Sequence, residues 1–238
     1  MRIDLNADLG ESWPRWESGE DIALLDVVTS ANVCCGAYAG DADLMRATCE
    51  AAVARGVAIG AQVGYPDRDN FGRLHLDMPA ADLIGELLSQ IELLDEIARS
   101  AGGTIAYVKP HGGLYNTIVD DDAHAQAVVD AIQGRATPLP LLGLPGSVSL
   151  SLAEASGIPV IREGFADRAY TPDGRLVPRS EHGAVLDDPA VVAVQAVRLM
   201  DSVSSICVHS DSPGAVDLAR AVRAALEAAG AELTSAAP

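Results

Sequence analysis

The chain has almost no lysine. Of its sixteen basic residues fifteen are arginine, and the one lysine, Lys109, lies inside Tyr-Val-Lys-Pro-His-Gly-Gly-Leu-Tyr-Asn, running from Tyr107 to Asn116. A protein that takes arginine everywhere else marks Lys109 as a place where a guanidinium will not serve. Lysine offers a compact ammonium that can shift its pKa, donate to a developing anion, or form a Schiff base. Aromatic residues are also scarce, at 4%. The core must then be built from Ala, Val, Leu and Ile, which suits helices packed on parallel strands. Positive charge is short overall, with a formal net charge of −18. Such a surface repels nucleic-acid phosphates and anionic membranes. A local basic pocket can still hold a small anion.

Other absences narrow the function further. No stretch approaches the roughly 18 apolar residues of a membrane span. The N-terminus, Met1-Arg2-Ile3-Asp4-Leu5-Asn6, has no secretory apolar region, so a cytoplasmic protein is expected. The cysteines, Cys34, Cys35, Cys49 and Cys207, lack C-x-x-C spacing, which argues against structural zinc. Cys34 and Cys35 end an apolar run and read as small core residues rather than nucleophiles. There is no phosphate-binding G-x-x-x-x-G-K-[ST] loop, no dinucleotide fingerprint and no G-x-S-x-G elbow. Nucleotide phosphates, if handled here, are held some other way.

What is present is a repeated alternation. Short apolar runs at 2–5, 30–34, 58–61, 105–108, 139–142, 160–162 and 205–208 read as strands. Helical patterns lie between them, at 21–27, 41–55, 80–101, 121–132, 147–155, 189–200 and 213–229. Gly56, Gly102 and Gly157 punctuate helix ends, and Ser212-Pro213 reads as a helix start. Strand–helix alternation repeated this often predicts a parallel α/β sheet, open or closed into a barrel, within a single domain over 1–238. Residues 234–238 read as a loose tail. Loops at 64–78 and 164–188 are long enough to be functional.

Polar residues gather where the strands end: Asn6, Asp8 and Glu11; Asn32, Tyr38 and Asp41; Gln62, Tyr65 and Asp67; Lys109, His111 and Asn116; Glu163, Asp167 and Arg168; His209 and Asp211. In a parallel α/β fold the carboxyl ends of strands share one rim, so these segments converge. Acids and bases beside Lys109, Arg168 and Arg179 make a set suited to activating water against a carbonyl while holding a carboxylate. The arginines of 162–179 could clamp an anion or pair with Glu163, Asp167 and Asp173. His75, His124 and His182 read as solvated.

The motifs also carry a resemblance. Ile3-Asp4-Leu5-Asn6-Ala7-Asp8-Leu9-Gly10-Glu11-Ser12, Ser30-Ala31-Asn32-Val33-Cys34-Cys35-Gly36, Val108-Lys109-Pro110-His111-Gly112, Glu163-Gly164-Phe165-Ala166-Asp167-Arg168 and Ile206-Cys207-Val208-His209 occur in an order that resembles the LamB/YcsF family. That family is the A subunit of bacterial ATP-dependent 5-oxoprolinase. The resemblance implies a distorted seven-stranded parallel β/α barrel of the glycoside hydrolase/deacetylase kind. It implies cleavage of 5-oxo-L-proline to L-glutamate with ATP hydrolysis, and partner subunits B and C that share the handling of ATP. A homo-oligomer is compatible with it. It puts Asp8, Lys109, His111, Asp41 and His209 forward as catalytic, with Asp8 or His111 as acid or base and Lys109 stabilising an oxyanion or the substrate carboxylate. Asn6, Glu11, Asn32, Asn116, Glu163, Asp167, Arg168 and Arg179 are then substrate-binding. Lys109→Ala is expected to abolish turnover without unfolding. Family histidines are replaced by Tyr38 and Gln62, poor metal ligands, so no metal is expected. The competing functions are a metal-dependent deacylase and a non-catalytic paralogue that binds a ligand or partner.

Overall fold

The computed structural model describes residues 1–237. Its elements run β1 (Arg2–Leu9), α1 (Trp13–Glu17), α2 (Glu20–Leu25), β2 (Ser30–Cys34), α3 (Ala42–Arg55), β3 (Ala58–Val63), α4 (Ala80–Ser100), β4 (Ile105–Pro110), α5 (Gly112–Thr117), α6 (Asp122–Gln133), β5 (Leu141–Gly143), α7 (Val148–Ala155), β6 (Val160–Phe165), α8 (Pro189–Leu199), β7 (Ser205–Cys207), α9 (Ala215–Ala228) and β8 (Glu232–Leu233). Strands β1 to β7 are parallel and hydrogen-bonded in the order β2-β3-β4-β5-β6-β7-β1. A further β1–β2 pairing closes the ring. The expected seven-stranded α/β barrel is what the chain forms. The two-residue β8, which the sequence pattern does not reveal, pairs with β1 at Arg2 and Ile3.

Period-two alternation decides which side chains face where. In β1, Ile3, Leu5, Ala7 and Leu9 join the apolar layer under the helices. Asp4, Asn6 and Asp8 face the barrel interior, where they meet Ser205, Glu163, Asn32 and Lys109. The helices complete the apolar layer with faces spaced three and four apart, such as Leu83, Leu87, Ile91 and Leu94 of α4. The barrel is therefore apolar outside and largely polar inside. Tyr107 crosses this interior to donate to Asn32 Oδ1 at 2.6 Å. It passes over Gly60, where any Cβ would collide with its ring.

Several sequence expectations change. Strands β1, β3, β4 and β6 extend past their apolar runs, so Asn6, Asp8, Gln62, Lys109 and Glu163 lie within strands rather than in loops. An alternating polar residue ended the apolar run without ending the strand. The α9 helix starts after Gly214, not at Ser212-Pro213, because the Ser212 hydroxyl bonds to Asp167 instead at 2.8 Å. The tail is not loose through 237. Thr234 N–H donates to Ile3 O, Ser235 Oγ meets Ser30 Oγ, and Ala236 and Ala237 pack near Tyr107, closing one end of the barrel. Pro238 lies outside the described residues. His124 is buried, with Nδ1 2.6 Å from Tyr65 Oη and Nε2 3.1 Å from Met78 O, so it is an anchor for the 64–78 loop. His75 and His182 are exposed as expected.

Candidate active site

A cavity of about 630 Å³ opens at the carboxyl ends of the strands. Asp8, Glu11, Lys109, His111, Asn116, Arg168, Arg179 and His209 line it. Asn6, Asn32, Glu163 and Asp167 are fully buried beneath and beside that wall. Twelve of the thirteen sequence-nominated residues are thus gathered in or behind one cavity. Asp41 is the one that is not. Its Oδ1 caps α3 through the backbone N–H groups of Asp43 and Leu44, and its Oδ2 accepts from Trp13 Nε1 at 2.8 Å. The structure gives it a helix-capping task outside the cavity wall.

Lys109 is 2% exposed and saturated with partners. Its ammonium lies 2.7 Å from Glu163 Oε1, 3.3 Å from Asp8 Oδ1, 3.1 Å from Asn6 Oδ1 and 3.3 Å from Cys207 Sγ. Burial alone would lower its pKa. Asp8, then Cys207 and Glu163, override that and raise it well above the usual lysine value. A permanently protonated amine cannot form a Schiff base, so of the chemistries open to a lone lysine the electrostatic one remains. Its protons are already committed, and its first effect is on Asp8. Burial would raise that carboxyl, but Lys109, then His209 and His111, hold it below the usual range as a carboxylate.

The neighbouring groups are driven to other states. Glu11 is buried without a cation in contact, and its pKa is raised well above normal by burial and then by the charges of Asp8, Asp211 and Asp21. Burial pushes His111 down to about 4, so its imidazole is neutral at neutral pH. The His111 ring stacks on Tyr38 at 3.9 Å, and Nε2 points at Phe71 O, 3.0 Å away. His209 is oriented differently. Its Nδ1 is 2.9 Å from Asp167 Oδ1 and its ring stacks on Phe165, leaving Nε2 for the cavity. Asp167 is fully buried, which would raise its pKa. His209 and the hydrogen bonds from His209 and Ser212 keep it low. An ionised aspartate fixing one imidazole nitrogen while the other faces a cavity is the arrangement of a general base.

Sequence reasoning left Gln62, Arg73, Tyr115, Phe165 and Arg175 off the site, though all line the cavity. Arg73 and Arg179, from the two long loops, both pair with Asp211, Arg179 at 3.0 Å, so the loops are tied together across the mouth. Arg175 pairs with Asp120 at 2.5 Å. Arg168 spends Nε and Nη2 on the carbonyls of Ala184 and Val177, holding the 164–188 loop in shape. None of the 162–179 arginines pairs with Glu163, Asp167 or Asp173. Gly113 explains how the 64–78 loop lies so close to α5: a Cβ there would strike the carbonyl of Leu74. Arg73 was accessible through the length of its loop and through Phe71-Gly72-Arg73, a stretch that matches the family. Gln62 stood out as the replacement of a family histidine, and Tyr115 and Phe165 lie in stretches that carry the family resemblance, but none was nominated for the site.

Asp8, Glu11 and His111 each offer one ligand atom, all within 4.8 Å of one another. Two carboxylates and an imidazole suit a divalent cation by type. Lys109 and Asn32 already occupy Asp8 Oδ1, and Tyr38 and Gln62 beside the cluster bond to each other at 2.7 Å.

The chain is similar to known proteins along its length. The LamB/YcsF family model matches residues 3–238. The chain is 52% identical, over 98% of its length and 99% of the relative's, to a Streptomyces avermitilis protein named as the A subunit of 5-oxoprolinase. The crystal structure of a lactam utilization protein from Thermus thermophilus superposes with a TM-score of 0.91 at 35% identity, over 98% of this chain and 99% of that one. A deacetylase solved with substrate reaches 0.53 at 14% identity, over 98% and 87%, a likeness of fold alone. The chain belongs to the LamB/YcsF family. Among the described residues no helix is long and apolar enough to cross a membrane.

Proposed function

We propose that this chain is the A subunit of an ATP-dependent 5-oxoprolinase, opening the lactam of 5-oxo-L-proline to L-glutamate together with partner subunits B and C in the cytoplasm. The observation that carries this reading is the end-to-end 52% identity with a relative named as the A subunit of 5-oxoprolinase. The cavity supplies matching chemistry. His209, held by Asp167, takes a proton from water as its oxygen adds to the lactam carbonyl carbon. The C–N bond breaks, and the departing nitrogen takes a proton from Glu11, whose pKa burial raises well above the usual carboxyl range. Arg179, on exchanging Asp211 for it, and Arg168 through the Nη1 not spent on a carbonyl can hold the substrate carboxylate. Lys109 keeps Asp8 ionised, so that Asp8 can orient the water or the lactam N–H. No step is assigned to a resident metal ion, since the Lys109 ammonium already supplies positive charge beside Asp8. ATP is proposed to be handled with the partner subunits.

The test is glutamate release from 5-oxo-L-proline by this chain mixed with subunits B and C of the same source, with and without ATP. ATP-dependent glutamate that requires this chain is expected. The Tyr38–Gln62 bond in place of the family's histidines favours a second reading, a non-catalytic ligand- or partner-binding paralogue. Absence of glutamate, with B and C active beside a histidine-bearing family member, would select it.

A further inference from the structure

Gln62 is fully buried at the end of β3, yet it lines the cavity. Its Oε1 accepts from the Tyr38 hydroxyl at 2.7 Å, while its Nε2 has no partner. Buried amide donors without acceptors are uncommon and call for an explanation. No strand neighbour supplies one. Lys109, opposite Gln62 on β4, is a donor itself, and Cys34, opposite on β2, gives its thiol to Ala39 O at 3.1 Å. Two other buried orphans near the cavity, Glu163 Oε2 and Tyr115 Oη, differ in kind. Glu163 acts directly on the Tyr115 hydroxyl, so a small rotation pairs them.

The geometry points to Gln62 as a substrate-binding residue whose Nε2–H donates to the carbonyl oxygen of the cyclic amide. This rests on the 5-oxoprolinase reading. A lactam carbonyl gathers negative charge as water adds, and it needs a donor already in place. The protons of Lys109 are spent on Asn6, Asp8, Cys207 and Glu163. The arginines stand on the loops at the mouth, suited to the carboxylate. Gln62 is at the floor, joined through Tyr38 to the His111 stack and next to Lys109, where the reacting groups converge. With Oε1 accepting from the Tyr38 hydroxyl, Nε2 is the end of the amide left for a ligand acceptor.

The experiment compares the wild-type chain, Gln62→Met and Gln62→Glu, each assembled with subunits B and C. It reads kcat/KM for 5-oxo-L-proline and the inhibition constant of the thiolactam analogue, whose sulfur is a weak acceptor. Melting temperature checks folding. Gln62→Met should lose about tenfold in kcat/KM, the value of one hydrogen bond, and less than about twofold in thiolactam binding. Gln62→Glu keeps the acceptor for Tyr38 and can donate only while its buried carboxyl is protonated, so its loss should grow as pH rises. Wild-type kcat/KM in folded Gln62→Met would overturn the assignment, as would equal losses for lactam and thiolactam or a Gln62→Glu loss that does not depend on pH. A wild-type chain that makes no glutamate with competent partners overturns the parent reading and this one with it. Active wild type with unaffected variants overturns this one alone.

Discussion

Replacing Lys109 with methionine keeps the aliphatic bulk and removes the ammonium. Glu163, 2.7 Å away and 0% exposed, and Asp8, 3.3 Å away, are then left as buried carboxylates without a cation. Breaking a buried pair by deleting one partner costs about 3–5 kcal/mol. For a chain of this size each kcal/mol moves the melting point by about 2–4 °C, so a fall of roughly 6–20 °C is expected at pH 7. The pH dependence has a definite sign. In the wild type the Asp8 pKa is lowered, so its contribution is present above the unfolded aspartate value and lost as pH falls through the folded one. Without the ammonium, burial is opposed only by the smaller effects of His209, His111 and Asn32, and the folded pKa rises above the unfolded value. The variant is then relatively more stable in acid and loses that advantage as pH rises. The deficit should therefore be full at pH 7 and shrink towards pH 4. Adding Glu163→Gln to Lys109→Met should recover part of the loss, since one stranded charge is gone. Scanning fluorimetry or calorimetry across that range measures all of this. A Lys109→Met protein melting within about 2 °C of wild type at pH 7, or a deficit that does not depend on pH, would refute the buried-triad account. The simpler expectation that Lys109→Ala abolishes turnover without unfolding has to be read against this cost. Lost activity counts as chemistry only below the variant's own melting point.

Two further outcomes follow from the same site. His209→Gln should lower kcat by about 10²–10⁴ with 5-oxo-L-proline, and Asp167→Asn should do the same by misdirecting the imidazole; a loss confined to KM would remove His209 from the role of base. Manganese or zinc at a hundredfold over a real site's Kd would stabilise the fold by about 2.7 kcal/mol. We expect no saturable melting shift from either metal, and a shift abolished by Asp8→Asn would instead make Asp8, Glu11 and His111 a cation site.

The barrel was legible because it is written in local pattern. Apolar runs of strand length alternating with helical faces leave few alternatives to a parallel sheet. The lone Lys109, the strand-end acids and histidines and the two long loops could likewise be read in order along the chain, and convergence on one rim followed from the topology. Their placement inside the strands could not. Asn6, Asp8, Gln62 and Glu163 look like the start of loops because a polar residue normally faces water, and only a closed barrel gives it an interior partner instead. Asp41 looked no different from Asp8 in sequence, yet one caps a helix and the other meets an ammonium from β4.

Protonation was decided at a distance. Glu11 and Asp8 are three positions apart and of the same class, but burial beside other acids raises one, while Lys109, about a hundred residues away in sequence, lowers the other. The sequence by itself determined the α/β alternation, the acidic surface and the set of groups available for chemistry, since each depends on residues near one another or on simple counts. Only the tertiary structure decided which carboxyl keeps its proton, which imidazole has a free nitrogen and which amide lacks a partner, because burial and Coulomb energies depend on separation in space and not along the chain.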